Sequence, residues 1–144
     1  MIALDSNVLV YAHRGEAEWN EEAFALVDGL AEGQRPWAIP FPCIHEFLRN
    51  VTDPRIYRTP TPLDAALRQV ADWASGPTLR LISEGERHLD VLSEAALEGR
   101  VRGAMIHDAR IAAICLEHGV QELWTADRDF SRFPALKTRN PLVG

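Results

Sequence analysis

Short apolar segments alternate with longer amphipathic ones along this chain, and this alternation constrains the fold more than any other feature of the sequence. The apolar segments are residues 2–4, 36–39, 79–82 and 122–125. Between them, hydrophobic residues recur at helical spacing. Because parallel strands are usually joined by crossover helices, the alternation predicts an α/β sandwich with a mainly parallel central sheet and helices on both faces.

The predicted helices have recognisable ends. They occupy residues 17–33, 42–51, 62–76 and 83–99, followed by a helix that carries Ala109, Ala112, Ala113 and Leu116 and ends at Gly119. Gly33, Gly99 and Gly119 are typical C-terminal stops. Ser83 and Glu86 have the spacing of a capping box, which predicts that a helix starts there.

Size and charge limit the possible functions. A chain of 144 residues fits one compact domain, 1–144, and it contains no apolar run long enough for a bilayer or a signal peptide, so we expect a soluble cytoplasmic protein. The net charge of −6 argues against sequence-independent binding of polyanions. Cys43 and Cys115 have neither the spacing of a zinc site nor that of a redox pair, and we expect buried thiols.

Four acidic residues occupy positions from which they can converge. Asp5 follows the first predicted strand and Asp127 the last. The carboxyl ends of parallel strands lie at one edge of a sheet, where ligands bind. Glu46 and Asp108 lie on helices, off the main apolar stripe of each. The sequence therefore predicts one anionic pocket.

Such a pocket needs a cation, because clustered carboxylates repel one another and are costly to bury unpaired. Oxygen ligands indicate Mg²⁺, with Mn²⁺ as an alternative. We expect Asp5 and Asp108 to bind the metal directly, with Glu46, Asp127 and Asp129 in supporting positions. The chemistry expected is hydrolysis, in which the metal activates water for in-line attack on a phosphodiester and an acidic residue accepts the proton.

The ordered acidic motifs resemble those of a known family. The motifs are Asp5-Ser6-Asn7-Val8-Leu9, the helical Glu46, His107-Asp108-Ala109-Arg110-Ile111-Ala112-Ala113 and Thr125-Ala126-Asp127-Arg128-Asp129-Phe130. In order and spacing they resemble the PIN-domain ribonucleases, and in particular the VapC toxins of type II toxin-antitoxin systems. This resemblance covers nearly the whole chain.

The resemblance implies a PIN-like three-layer sandwich with a metal-dependent endoribonuclease activity. Its catalytic residues would be Asp5, Glu46, Asp108 and Asp127. The substrate would be structured cellular RNA of the tRNA or rRNA class, and the partners would be a VapB-type antitoxin and a second copy of the chain in a homodimer.

Several polar residues have both a local and a functional interpretation. Ser6, Asn7 and Thr125 would either orient the acids or simply satisfy nearby backbone groups. Four basic residues flank the acidic motifs and are candidates for contacts with RNA, although arginine is ordinary on any protein surface: Arg49, Arg55, Arg58 and Arg128.

Other functions remain open from the sequence. An aspartyl-phosphate phosphatase would have a second aspartate at the position of Asn7. A phosphate-accepting receiver domain needs a late lysine, and Lys137 is the sole lysine available. Within the resemblance, the chain would alternatively cleave DNA or be a catalytically silent RNA- or protein-binding module.

Overall fold

A five-stranded parallel sheet forms the centre of the molecule. The computed structural model describes residues 1–143. Its strands are β1 (Ile2–Leu4), β2 (Trp37–Pro40), β3 (Leu79–Ile82), β4 (Glu122–Trp124) and β5 (Lys137–Arg139). All neighbouring pairs are parallel, in the order β3-β2-β1-β4-β5. β1 is therefore the central strand, and its Ala3 pairs with Ala38 on one side and Leu123 on the other.

Helices connect the strands and cover the sheet. They are α1 (Ser6–His13), α2 (Asn20–Glu32), α3 (Phe41–Val51), α4 (Leu63–Ala74), α5 (His88–Glu98) and α6 (Ile106–Glu117). Two short 3₁₀ turns, Gly103–Met105 and Arg128–Arg132, precede α6 and follow β4. This arrangement confirms the predicted α/β class with its parallel sheet. Among the described residues, the helices do not combine the length and apolar character that a bilayer-spanning segment needs.

The core lies between the sheet and the helices. Ala3, Leu4 and Ile39 in the strands are fully buried. α6 is buried along most of its length because five consecutive residues, Ile111–Cys115, have no more than 1% of their surface exposed. The side chains of Ala112 and Ala113 are small, which allows α6 to pack closely against its neighbours. Cys43 and Cys115 are free buried thiols, as predicted.

Two local predictions differ from the structure, and one strand was not predicted. α2 begins at Asn20 rather than near residue 17, because residues 14–19 form turns in which the Ala17 amide donates to the Arg14 carbonyl oxygen. The predicted capping box at Ser83 is wrong, since α5 begins at His88 with no side-chain cap. β5 was not predicted, because its three residues are polar and largely exposed.

Successive strands are added on opposite sides of β1. From β1 the chain proceeds to β2 and β3 on one side, and it then returns to place β4 and β5 on the other. A parallel sheet has a crevice at such a switch point, beyond the carboxyl ends of the two adjacent strands. Asp5 follows β1 directly and Thr125 follows β4 directly, so both residues lie at this crevice.

Candidate active site

Asp5 is a buried carboxylate fixed between β1 and α1. Its side chain is 3% exposed, and it caps α1 by accepting a hydrogen bond from the Ser6 amide at 2.7 Å. Its own amide donates to the Trp124 carbonyl oxygen of β4 at 3.0 Å. Burial raises the pKa of Asp5, while hydrogen bonds from Thr125, Ser6 and Cys43 act in the opposite direction.

Both oxygens of the Asp5 carboxylate accept hydrogen bonds. Oδ1 accepts from the Ser6 amide and from the Cys43 thiol at 3.4 Å. Oδ2 accepts from Thr125 Oγ1 at 2.8 Å and from Asn7 Nδ2 at 3.2 Å. Four donors around one carboxylate fix its orientation and favour its charged form.

Asn7 and Thr125 connect the ends of β1 and β4. Asn7 Nδ2 also donates to Thr125 Oγ1 at 3.1 Å, and Asn7 Oδ1 accepts from the Ala126 amide at 3.1 Å. The Asp127 amide donates to Thr125 Oγ1 at 3.0 Å. The local polar interactions expected of Asn7 and Thr125 are therefore present, and they lie directly against the acids.

Glu46 reaches the same crevice from α3. Its Oε2 accepts a hydrogen bond from Ser6 Oγ at 2.7 Å. Burial is the largest cause that raises the pKa of Glu46, and the charge of Asp5 adds to it, whereas the bond from Ser6 lowers the pKa. Ser6 therefore contacts both acids, through its amide to Asp5 and through its hydroxyl to Glu46.

Asp108, Asp127 and Asp129 form the tightest group of acids. Each contributes a carboxylate oxygen, and these three oxygens lie within 4.8 Å of one another. Asp127 caps the 3₁₀ turn that follows it by accepting from the Asp129 amide at 2.8 Å, so this turn brings the two acids together. Asp108 comes from the first turn of α6.

The pKa of Asp108 is raised to about 6, and every cause acting on it raises it. The largest cause is burial, followed by the charges of Asp127, Asp5, Asp129 and Glu46. Five carboxylates therefore repel one another in one crevice, and a divalent cation would relieve that repulsion. The donors are all carboxylate oxygens, which suit a hard cation such as Mg²⁺ or Mn²⁺.

A groove with a volume of about 620 Å³ adjoins the acids and is lined by one of the predicted basic residues, Arg49. Glu46 and Arg49 line it, together with Arg110, which pairs with Glu84 at 2.8 Å. Sequence reasoning did not assign Arg110 to RNA, although its position two residues after Asp108 was a usable signal.

The other predicted basic residues lie elsewhere. Arg55 is exposed and pairs at 3.4 Å with Asp53, which lines the groove. Arg58 lines a neighbouring cavity with His13 and Arg14. Arg128 is exposed in the 3₁₀ turn between Asp127 and Asp129.

Comparison with known protein families gives one match to most of the chain. Residues 2–136 match the PIN domain. Ribonuclease VapC43 of Mycobacterium tuberculosis is 35% identical over 144 residues, which cover 100% of this chain and 97% of the relative. Ribonuclease VapC33 of the same species is 30% identical over 142 residues, covering 99% of each chain.

Solved structures share the fold at lower identity. FitAcB from Neisseria gonorrhoeae has a TM-score of 0.71 and 18% identity, with 100% of each chain covered. VapBC2 from Rickettsia felis, bound to a DNA fragment from its promoter, has a TM-score of 0.70 and 19% identity, covering 96% of this chain and 98% of that one. VapC20 of Mycobacterium tuberculosis, described as a sarcin-ricin loop cleaving toxin, has a TM-score of 0.67 and 18% identity, covering 91% and 93%.

Proposed function

This chain belongs to the PIN-domain family and to its VapC ribonucleases, and we propose that its acidic crevice hydrolyses phosphodiester bonds of structured cellular RNA with the help of a divalent cation. The protein would act as the toxin of a type II toxin-antitoxin system in the cytoplasm. The observation that carries this proposal is the convergence of five carboxylates at the switch point of the sheet, where the pKa of Asp108 is raised to about 6.

The residues present fit Mg²⁺ or Mn²⁺. The sequence predicts that Asp108 binds the metal together with Asp5. In the structure Asp108 also belongs to the group of three acids whose oxygens lie within 4.8 Å of one another. We therefore propose Asp108 as the central ligand, with Asp127 and Asp129 beside it and Asp5 at the base of the crevice. When bound, the cation would lower the pKa of a coordinated water and stabilise charge on the phosphate.

Protein groups would hold the remaining parts of the site in place. The hydrogen bonds from Ser6, Asn7, Thr125 and Cys43 hold the Asp5 carboxylate in place, and those from Ser6, Thr125 and Cys43 oppose the burial that raises its pKa. Glu46 has a raised pKa and contacts Ser6, and we assign it to accept the proton of the attacking water. Arg49 and Arg110 line the groove, where their guanidinium groups would contact RNA phosphates.

The assignment to RNA and to an antitoxin partner comes from the VapC relatives. We propose an RNA substrate of the tRNA or rRNA class, a VapB-type antitoxin and a homodimeric assembly. Cleavage of DNA by the same acids is the second candidate, because metal-assisted hydrolysis is chemically similar on both backbones. An aspartyl-phosphate phosphatase would have a second aspartate where this chain has Asn7, which argues against that activity.

Mapping of new 5′ ends in total RNA tests the proposal. Wild-type protein, Asp108→Asn and Asp28→Asn would be incubated with Mg²⁺, with Mn²⁺ and with EDTA. Asp28 is an exposed aspartate of α2 and serves as the matched control. We expect discrete metal-dependent ends with wild type and Asp28→Asn, and their loss with Asp108→Asn or EDTA.

Two outcomes would contradict the proposal. Equal cleavage by wild type and Asp108→Asn would remove Asp108 from the reaction. Cleavage of a matched DNA strand without cleavage of RNA would mean that the substrate is DNA, while the proposed metal-assisted hydrolysis would still hold.

A further inference from the structure

The groove beside Glu46 continues away from the acids between α1 and α3. Asn7 and Tyr11 line it from α1, and Glu46 and Asn50 line it from α3. Each pair is four residues apart, so each wall advances by about 6 Å, slightly more than one helical turn. The groove therefore extends from the acidic crevice by roughly the spacing of one nucleotide.

The chemistry of the walls changes along this direction. Near the acids the groove is polar, with Glu46 and His107. One turn further, two aromatic rings, the apolar Ile56, one amide and one carboxylate line it: Tyr11, Tyr57, Ile56, Asn50 and Asp53. Aromatic faces with a neighbouring amide suit a heteroaromatic base, since bases stack on aromatic side chains and offer hydrogen-bonding edges.

The outer wall of the groove is held in place without RNA. Tyr57 Oη donates to Asn50 Oδ1 at 2.6 Å, which ties the loop after α3 to the helix itself. The Arg14 guanidinium lies over the Tyr57 ring, 4.0 Å from its centre. Cation–π contact of this kind fixes the ring.

Hydrogen bonds from Arg14 and within the backbone anchor the same loop. Arg14 Nη1 donates to Thr61 Oγ1 at 3.1 Å and Nη2 donates to the Thr59 carbonyl oxygen at 3.0 Å. The Thr61 amide donates to the Val51 carbonyl oxygen at 2.7 Å, closing the loop at its base. A preformed wall lowers the entropy lost when a ligand binds.

We propose that this groove binds one unpaired base of the RNA next to the cleaved phosphate, with Tyr57 as the stacking surface. The proposal rests on the RNA cleavage proposed above and deepens it, because it restricts the substrate to RNA that is single-stranded or splayed open at the cut. A base stacked on Tyr57 in this groove cannot at the same time pair in a helix. The volume of about 620 Å³ lies in the range in which small ligands bind.

Abasic scanning tests the groove directly. The full chain with Asp108→Asn, which keeps the RNA intact, would be titrated in Mg²⁺ with an oligoribonucleotide of about nine nucleotides. The set contains the intact single strand, its duplex with a complement, and versions that lack one base at each position in turn. We expect weaker binding of the duplex and one position at which the missing base lowers affinity about 10-fold.

Variants of Tyr57 connect that position to the groove. Tyr57→Ala should bind the intact strand about 10-fold more weakly and should no longer respond to the missing base. Tyr57→Phe keeps the ring and should retain the response. Phe24→Ala removes an aromatic ring that is 60% exposed on α2 and controls for general loss of surface area. Circular dichroism of each variant identifies one that fails to fold.

The possible outcomes separate the two proposals. A scan without a sensitive position, an unchanged response in Tyr57→Ala, or equal binding of duplex and single strand would overturn the nucleotide site and leave the groove to a protein segment. Metal-dependent cleavage by the wild-type chain is measured in parallel. If cleavage occurs while the scan is flat, only the nucleotide site fails. If base-dependent binding occurs without cleavage, the proposed function fails instead.

Discussion

Replacing Asp108 by asparagine should stabilise the metal-free protein while it abolishes metal binding. The side chains are nearly the same size, so the substitution mainly removes one negative charge. In the folded chain, burial and the charges of Asp127, Asp5, Asp129 and Glu46 raise the pKa of Asp108 from its ordinary value of 3.8 to about 6. At neutral pH the ionised carboxylate therefore opposes folding, and the neutral amide would not.

The size of this effect follows from the pKa. A change from 3.8 to about 6 corresponds to roughly 3 kcal/mol. Asp108 is partly exposed, and solvent screens its interactions, so we expect about 1 kcal/mol in the free energy of unfolding. For a chain of this size that is an increase of about 3 °C in the melting temperature.

The pH dependence has a definite sign. The folded chain binds the Asp108 proton more tightly than the unfolded chain, so this group lowers wild-type stability as the pH rises from about 4 to about 6. The advantage of Asp108→Asn should be absent below about pH 4, grow through that interval and stay constant above it. Thermal unfolding in EDTA at a series of pH values measures this difference, and Asp28→Asn should show none of it.

Added metal should reverse the order of stability. Mg²⁺ or Mn²⁺ that binds only the folded chain raises its melting temperature. We expect that increase for wild type and its loss for Asp108→Asn. A variant that is less stable than wild type in EDTA at neutral pH, or whose advantage does not change with pH, would refute the idea that the acids repel one another in the folded protein.

Other substitutions test the packing and the hydrogen bonds of the site. Asp5→Asn should destabilise the metal-free protein by about 2 kcal/mol, because an amide turns a donor toward groups that already donate to Asp5; greater stability than wild type in thermal unfolding would contradict this. Thr125→Val should lower the free energy of unfolding in urea by about 1–3 kcal/mol, because Thr125 is 3% exposed and its hydroxyl donates to Asp5. The same variant should weaken the metal-induced increase in melting temperature. Gly99→Ala should lower stability by about 1–3 kcal/mol because a Cβ there would lie 2.7 Å from Phe133 Cε1. Gly29→Ala should raise stability by about 1 kcal/mol, because Gly29 lies inside α2 and a Cβ there would meet nothing within 4 Å. A change of the same sign for both glycine variants in urea unfolding would contradict these two predictions.

The parallel sheet could be predicted from the sequence because its inner strands are apolar and short. β1 and β3 lie where the hydrophobic pattern places them. β5 escaped prediction, since Lys137–Arg139 pairs with β4 at the edge of the sheet and carries polar side chains that resemble a loop. An edge strand of this kind is specified by its pairing partner and not by a pattern of its own.

The predicted capping box failed because contacts from a distant helix hold that segment. Glu117 of α6 accepts from the Gly85 amide at 3.3 Å and lies 2.9 Å from His88 Nδ1. These contacts connect the loop after β3 to α6 and place the start of α5 at His88. Tertiary contacts between residues about thirty positions apart override a local capping preference.

The position of the acids followed from strand order, but the groove beside them did not. Asp5 and Asp127 follow strands, and any parallel sheet brings such residues to one edge. The wall of the groove instead depends on Arg14 contacts with Thr59 and Thr61, which are 45 and 47 residues away in the chain. A single sequence contains no periodic signal for contacts between loops, so Arg14 and Tyr57 were recognisable only in the structure.

The acids of the crevice differ in how the protein treats their charge, and this difference determines what a bound cation can contribute. Burial raises the pKa of Asp5 while hydrogen bonds from the chain lower it, and an amide at this position would turn a donor toward those groups, so Asp5→Asn should destabilise the fold. Asp108 lies near other acids, and each cause acting on its pKa raises it. The fold thus surrounds the Asp5 carboxylate with donors and leaves the Asp108 carboxylate among like charges. A cation at Asp108 should therefore contribute more to stability than one that contacts Asp5 alone. The opposite signs expected for Asp5→Asn and Asp108→Asn in EDTA follow from this asymmetry, and equal signs would mean that the protein does not distinguish the two charges.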